Sequence, residues 1–259
     1  MRPDPGTHDS LGDAFRKGVR AAAQNLSAMI VLLVAMGIVV AIYYGWPTGA
    51  AYLSWYASWQ HAGGILRTGL MAGIAGGILS ELCVVYVMDQ GRWNRSHLEN
   101  MVFRFVVFSF GGLVVSEFYE WQAYWFGDGL TWRVLLPKIL VDQFIFSVFW
   151  STTYQTLVFR WKALRYSGAS LWRELDRNFV VERMLPVLVT NWMFWIPGVT
   201  LVYSMPLILQ MPINIFATAM WSILLAGLSK PTDAPLAVLT LSPVPIQAEG
   251  DVGQPNMSR

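Results

Sequence analysis

MVFRFVVFSFGGLVVSEFYEWQAYWF, residues 101–126, holds three charged side chains in 26 positions: Arg104, Glu117 and Glu120. An apolar run of this length exceeds the ~20 residues that a helix needs to cross a hydrocarbon core of roughly 30 Å. The stretch therefore reads as a membrane-spanning helix. Five more read the same way: 26–44, 63–88, 134–159, 184–204 and 211–229. Together the six cover 137 residues and contain seven of the 34 charged ones. Over all 259 residues, 55% are apolar, 14% aromatic and only 13% charged, about half the ~25% charge of soluble domains. The expected fold is an all-α polytopic membrane helix bundle, with about six transmembrane helices and two interfacial amphipathic helices.

Lys and Arg fall into the tails and loops as 4, 0, 2, 1, 6, 0 and 2 along the chain. That alternation follows the positive-inside rule at every step and predicts both termini on the cytoplasm-equivalent side. Tyr52, Trp55, Tyr56 and Trp59 recur at helical spacing without a nearby charge, which predicts a short helix in the outer headgroup belt. Leu171, Trp172, Leu175 and Phe179 alternate with Arg173, Glu174, Asp176 and Arg177, which predicts an amphipathic helix on the inner side. Residues 1–13 and 231–259 are polar or proline-punctuated and read as disordered. A net charge of +2 gives no sign of a nucleic-acid partner. The single cysteine, Cys83, cannot form an intrachain disulfide. His8, His61 and His97 lie outside the spans without Cys or Glu at ligand spacing, so no metal or other cofactor is expected. A nucleophile with a base, a phosphate loop and a nucleotide fingerprint are all missing, so no enzyme is expected.

Gly69, Gly73 and Gly77 form a small-residue stripe on the second span, and Gly112 on the third can complete a close helix contact. Ionisable groups inside spans should meet each other or water, because each costs at least ~2.5–3.5 kcal/mol near the bilayer centre. Helix rise places Glu117 and Asp142 at one depth, with Glu120 and Lys138 one turn further out. Glu81 and Arg104 form a second layer on the inner side. Asn191, followed at helical spacing by Trp195, lies between the layers. Two readings stay open: a polar pathway lined by Glu81, Glu117, Glu120, Lys138, Asp142, Gln143, Asn191 and Trp195, or ion pairs Lys138/Asp142 and Glu81/Arg104 that fix helix register.

Lys138-x-x-x-Asp142-Gln143, Asn191-Trp192-x-x-Trp195 with Pro197, Gly112 to Tyr119, and Trp221 together resemble motifs of one family. It includes the Mpv-seventeen protein of the mitochondrial inner membrane and the twenty-two-kilodalton peroxisomal membrane protein. The resemblance covers about 63–229. Leu113, Ser116, Val148 and Gln210 depart from it, and 26–44 is an additional first span. The resulting division is a cytosolic-side tail 1–25, the extra span 26–44, an interfacial aromatic segment 45–62, a family-like domain 63–229 and a disordered tail 230–259. The resemblance implies a pore for small solutes or ions in the mitochondrial inner or peroxisomal membrane of a eukaryote; in a bacterium the plasma membrane is expected. The expected partners are the lipid bilayer, a small solute or ion, and a second copy in a homo-oligomer. A proton-coupled carrier using Glu117 or Asp142, and a non-transporting membrane scaffold, are the alternatives.

Overall fold

The computed structural model describes residues 11–24 and 26–228. In chain order the helices are α1 Leu11–Gln24, α2 Leu26–Gly45, α3 Pro47–Ala62, α4 Gly64–Tyr86, α5 Arg95–Phe126, α6 Trp132–Ala163, α7 Gly168–Glu174, α8 Arg177–Tyr203 and α9 Leu207–Leu228. No strand occurs among the described residues. Four helices are long and apolar enough to cross a membrane: α4, α5, α6 and α8. α1 and α2 meet at a 65° bend and add a fifth span only if taken as one broken helix, while the apolar segment Leu207–Met220 of α9 is shorter. The chain is thus an all-helical protein whose apolar helices suit it to a membrane.

Helix ends follow local chemistry. Asn94 Oδ1 accepts from the His97 backbone N–H at 3.1 Å and caps α5. At the far end, Gly127 takes a φ of +88°, which L side chains avoid. Asp176 Oδ1 accepts from Phe179 N–H at 2.8 Å and starts α8. That cap corrects the expected amphipathic helix over 171–179. The segment is instead the end of the short α7, a break at Leu175 and Asp176, and the first turn of α8. Trp172 is exposed, whereas Phe179 is buried. α7 is tied to α6 by a bidentate pair, Arg160 to Glu174, at 2.6 Å on both oxygens. These hydrogen bonds hold the Glu174 carboxyl below its usual range.

The N-terminal segment also differs from expectation. Residues 1–10 lie outside the described residues, as do 229–259, but Leu11–Asp13 open a helix rather than continuing a tail. Ala14, Gly18, Ala21 and Ala22 make one face of α1 narrow enough to lie directly on α8, and all four are buried. A Cβ on Gly18 would stand 2.7 Å from Val189 Cβ, and Thr190 Oγ1 donates to Gly18 O at 3.1 Å. α3 forms as a helix, with Tyr52, Trp55 and Trp59 exposed.

The closest approach in the bundle is α4 against α5. Gly69, Gly73 and Gly77 all face it: a Cβ on Gly69 would meet Leu113 at 2.8 Å, and one on Gly73 would meet Ser109 and the Phe105 carbonyl. On Gly77 it would stand 2.5 Å from the Phe105 backbone nitrogen and 2.6 Å from its Cα. Gly112 returns the contact against Ala72. Removing the side chains lets two backbones touch, and dispersion between them replaces the hydrophobic drive that lipid cannot supply.

Because backbone atoms cannot swing aside, Gly77→Ala is expected to lower stability by about 1–3 kcal/mol. Gly37→Ala is the control, since nothing lies within 4 Å of its added methyl. Melting curves in detergent compare the two. Equal melting would mean that α4 and α5 can separate freely at Gly77.

Candidate functional site

A cavity of about 120 Å³ lies between α5, α6, α8 and α9. Its wall is mixed: Phe108, Val115, Phe146, Phe159, Val187 and Val199 lie among the polar Arg104, Asp142, Gln143, Ser147, Ser151, Thr152, Gln155, Thr190, Asn191, Asn214, Thr218 and Ser222, with Tyr119 and Trp195. Along α6 the lining runs from Asp142 to Phe159, roughly 25 Å at the usual helix rise. A second cavity of about 80 Å³ shares Phe108, Val115, Ser151, Gln155, Asn214 and Thr218 with the first. Occupancy by a water takes about 10–15 Å³, so the main cavity has room for several.

α6 is built for this position by an irregular stretch. From Asp142 to Ser151 it winds with i to i+5 hydrogen bonding, a wider turn often found at functional sites. Side chains meet carbonyls along this stretch: Trp192 Nε1 donates to Gln143 O at 2.7 Å, and Thr153 Oγ1 to Val148 O at 2.8 Å.

At the Asp142 end the carboxylate is engaged on both oxygens, while Gln122 Oε1 and Gln143 Oε1 have no partner. Tyr203 OH donates to Asp142 Oδ2 at 2.5 Å and Gln143 Nε2 donates to Oδ1 at 2.8 Å. Gln122 Nε2 in turn donates to the Tyr203 hydroxyl at 2.7 Å. One node therefore ties α5, α6 and α8. Nearby, Asn214 Nδ2 donates to Tyr119 OH at 2.9 Å and brings in α9.

The other end is held by a cluster around Glu81, buried at 1% exposure. Its Oε1 lies 2.9 Å from His97 Nδ1 and accepts from Asn100 Nδ2 at 3.2 Å. His97 Nε2 stands 3.1 Å from Asp89 Oδ2. Lys162 Nζ donates to Asn100 Oδ1, and Arg104 Nη1 is 3.8 Å from Glu81 Oε2.

Of the residues expected to line a pathway, the cavity brings together Asp142, Gln143, Asn191 and Trp195. Glu81 sits one residue behind it, through Arg104. Glu117 and Glu120 are exposed and do not line it; Glu120 instead borders a smaller pocket with residues of α3, α4 and α9. Lys138 is buried at 1% exposure, outside the cavity. No ion pair joins it to Asp142 among the described residues; its Nζ lies 5.8 Å from the Tyr203 ring centroid. The expected Lys138/Asp142 pair is corrected on this point: both Asp142 oxygens are taken by Tyr203 and Gln143. The Glu81/Arg104 pair is present but long. The Trp221 side chain lies outside the described residues.

Sequence reasoning missed Gln122, Thr152, Gln155 and Tyr203 in the spans and Lys162 at the end of α6, and it set His97 aside. For those in the spans the signal was the one that marked Asn191, a polar group in an apolar run. His97 gave none, since Glu81 lies 16 residues away across a turn.

No family model, curated protein or solved structure matches the chain.

Tyr203→Phe removes one hydroxyl that serves two buried groups, leaving Asp142 Oδ2 and Gln122 Nε2 unpartnered. A cost of about 1–3 kcal/mol is expected. Tyr124→Phe, on a residue 86% exposed, should change nothing. Chemical or thermal unfolding in detergent reads the difference.

Proposed function

We propose that this protein is an integral membrane protein that provides a weakly selective pathway for small polar solutes or ions. One observation carries this reading: an elongated cavity inside the bundle is lined by many polar side chains, and several of those residues keep a buried polar atom without a partner, among them Gln143 Oε1, Thr152 Oγ1 and Arg104 Nε. Orphaned buried polar groups cost about 1–3 kcal/mol each, and a fold that keeps several around one void is consistent with water or a polar solute occupying it. A scaffold would gain nothing from that arrangement, since its charges would be paired and its interior dry.

Six spans with both termini on one side suit this proposal, with α2 as the first span and α9 as the last. The resemblance to the Mpv-seventeen family points in the same direction and to an organelle membrane as host. No catalytic step is assigned.

Proteoliposomes bearing the purified chain are expected to swell in glycerol and to exclude sucrose. Asn191→Trp, which places a large ring in the cavity, should cut glycerol entry several-fold with a melting curve close to wild type. Absence of glycerol entry in the wild type would refute the pathway and favour the scaffold. Saturable uptake that requires a pH gradient would favour a carrier.

A further inference from the structure

We propose that the Arg104 end of the cavity is a binding site for a small monoanion of the carboxylate class, so that the pathway proposed above passes anions in preference to cations. This inference rests on the pathway reading for its transport part and on Arg104 itself for its binding part.

Arg104 is 6% exposed and lines the cavity. Among the described residues no hydrogen bond reaches its guanidinium, and Nε is buried without a partner. A planar fork of five donors matches a carboxylate bidentately. A buried guanidinium without hydrogen-bond acceptors is costly.

The one acid near it does not fill that role. Glu81 Oε2 stays 3.8 Å from Nη1, beyond hydrogen-bond distance, while Oε1 already serves His97 and Asn100. Lys162, bonded to Asn100, adds a second positive charge to the same end. On the cavity side, the neighbours Thr152, Gln155, Asn191 and Ser222 are neutral. Asp142, the acid on the wall, has both oxygens engaged by Gln143 and Tyr203. The charged group on the wall whose hydrogen-bonding capacity is not engaged is therefore Arg104. The volume of about 120 Å³ and the closeness of Glu81 restrict the ligand to a small single charge.

Proteoliposomes in a potassium formate gradient report the preference as a reversal potential, with glycerol swelling followed in the same vesicles. Being a ratio, the preference does not depend on how much protein inserts. The wild type is expected to favour formate over potassium several-fold, Arg104→Gln to lose that preference, and Arg104→Lys to keep part of it. Glu81→Gln, which removes the competing carboxylate, should raise it. Glycerol entry without any anion preference, or a preference unaltered in Arg104→Gln, would overturn the anion site and leave the pathway standing. Should Arg104→Gln not fold, Glu81→Gln decides: an unchanged or smaller preference overturns the proposal. If neither glycerol nor ions pass, the pathway fails, and saturation transfer from [13C]formate to the purified chain in micelles tests the site alone. Transfer that weakens in Arg104→Lys and disappears in Arg104→Gln supports it, and no transfer in the wild type, or transfer unaltered in Arg104→Gln, overturns it.

Discussion

The hydrogen bond from Tyr203 to Asp142 is the constraint around which the interior is arranged. A carboxyl group buried in the helical bundle requires donors, and Tyr203 and Gln143 supply one to each oxygen. Because Gln122 donates to the same hydroxyl, a single oxygen fixes α5, α6 and α8 at one level. Trp192 closes the α6–α8 contact one residue further along by bonding the Gln143 carbonyl. Beyond this node the three helices are free to diverge, and with α9 they enclose the polar void.

The two ends of that void differ in chemistry. Around Asp142, both carboxylate oxygens accept hydrogen bonds, so the node acts as a spacer. Around Arg104, the charge comes from α5 while its counter-charge comes from α4, where Glu81 is shared among His97, Asn100 and Arg104. Glu81 Oε1 takes His97 and Asn100 at hydrogen-bond distance, while Oε2 stays 3.8 Å from Arg104. The close packing of α4 on α5 through Gly69, Gly73 and Gly77 brings Glu81 within 3.8 Å of the Arg104 guanidinium, and Arg104 also lines the cavity. Helix packing and site electrostatics are thus linked: the glycines set how near the two charges can come.

The sequence by itself determined the class of protein and the position of its long apolar helices. Runs of more than twenty apolar residues have no soluble alternative that would bury them all, and glycines four apart must present one bare helix face. It also marked Asp142, Gln143, Asn191 and Trp195, because polar groups in a hydrocarbon-length run are costly unless they meet one another. What only the tertiary structure decided is which way each helix is rotated. A spacing of three or four puts Glu117 and Glu120 on one face, yet nothing in that spacing says whether the face looks inward, and it looks out. The same limit explains Lys138 and Asp142, neighbours by spacing that do not pair, because Gln143 and, from α8, Tyr203 take the two Asp142 oxygens. Likewise the helical character of Leu11–Gln24 depends on α8 offering a surface for Ala14 and Gly18, and His97 gains its role by folding onto Glu81 across a turn. Helical periodicity fixes relations within one helix; partners between helices depend on rotation and depth, which are set by the sum of all packing contacts.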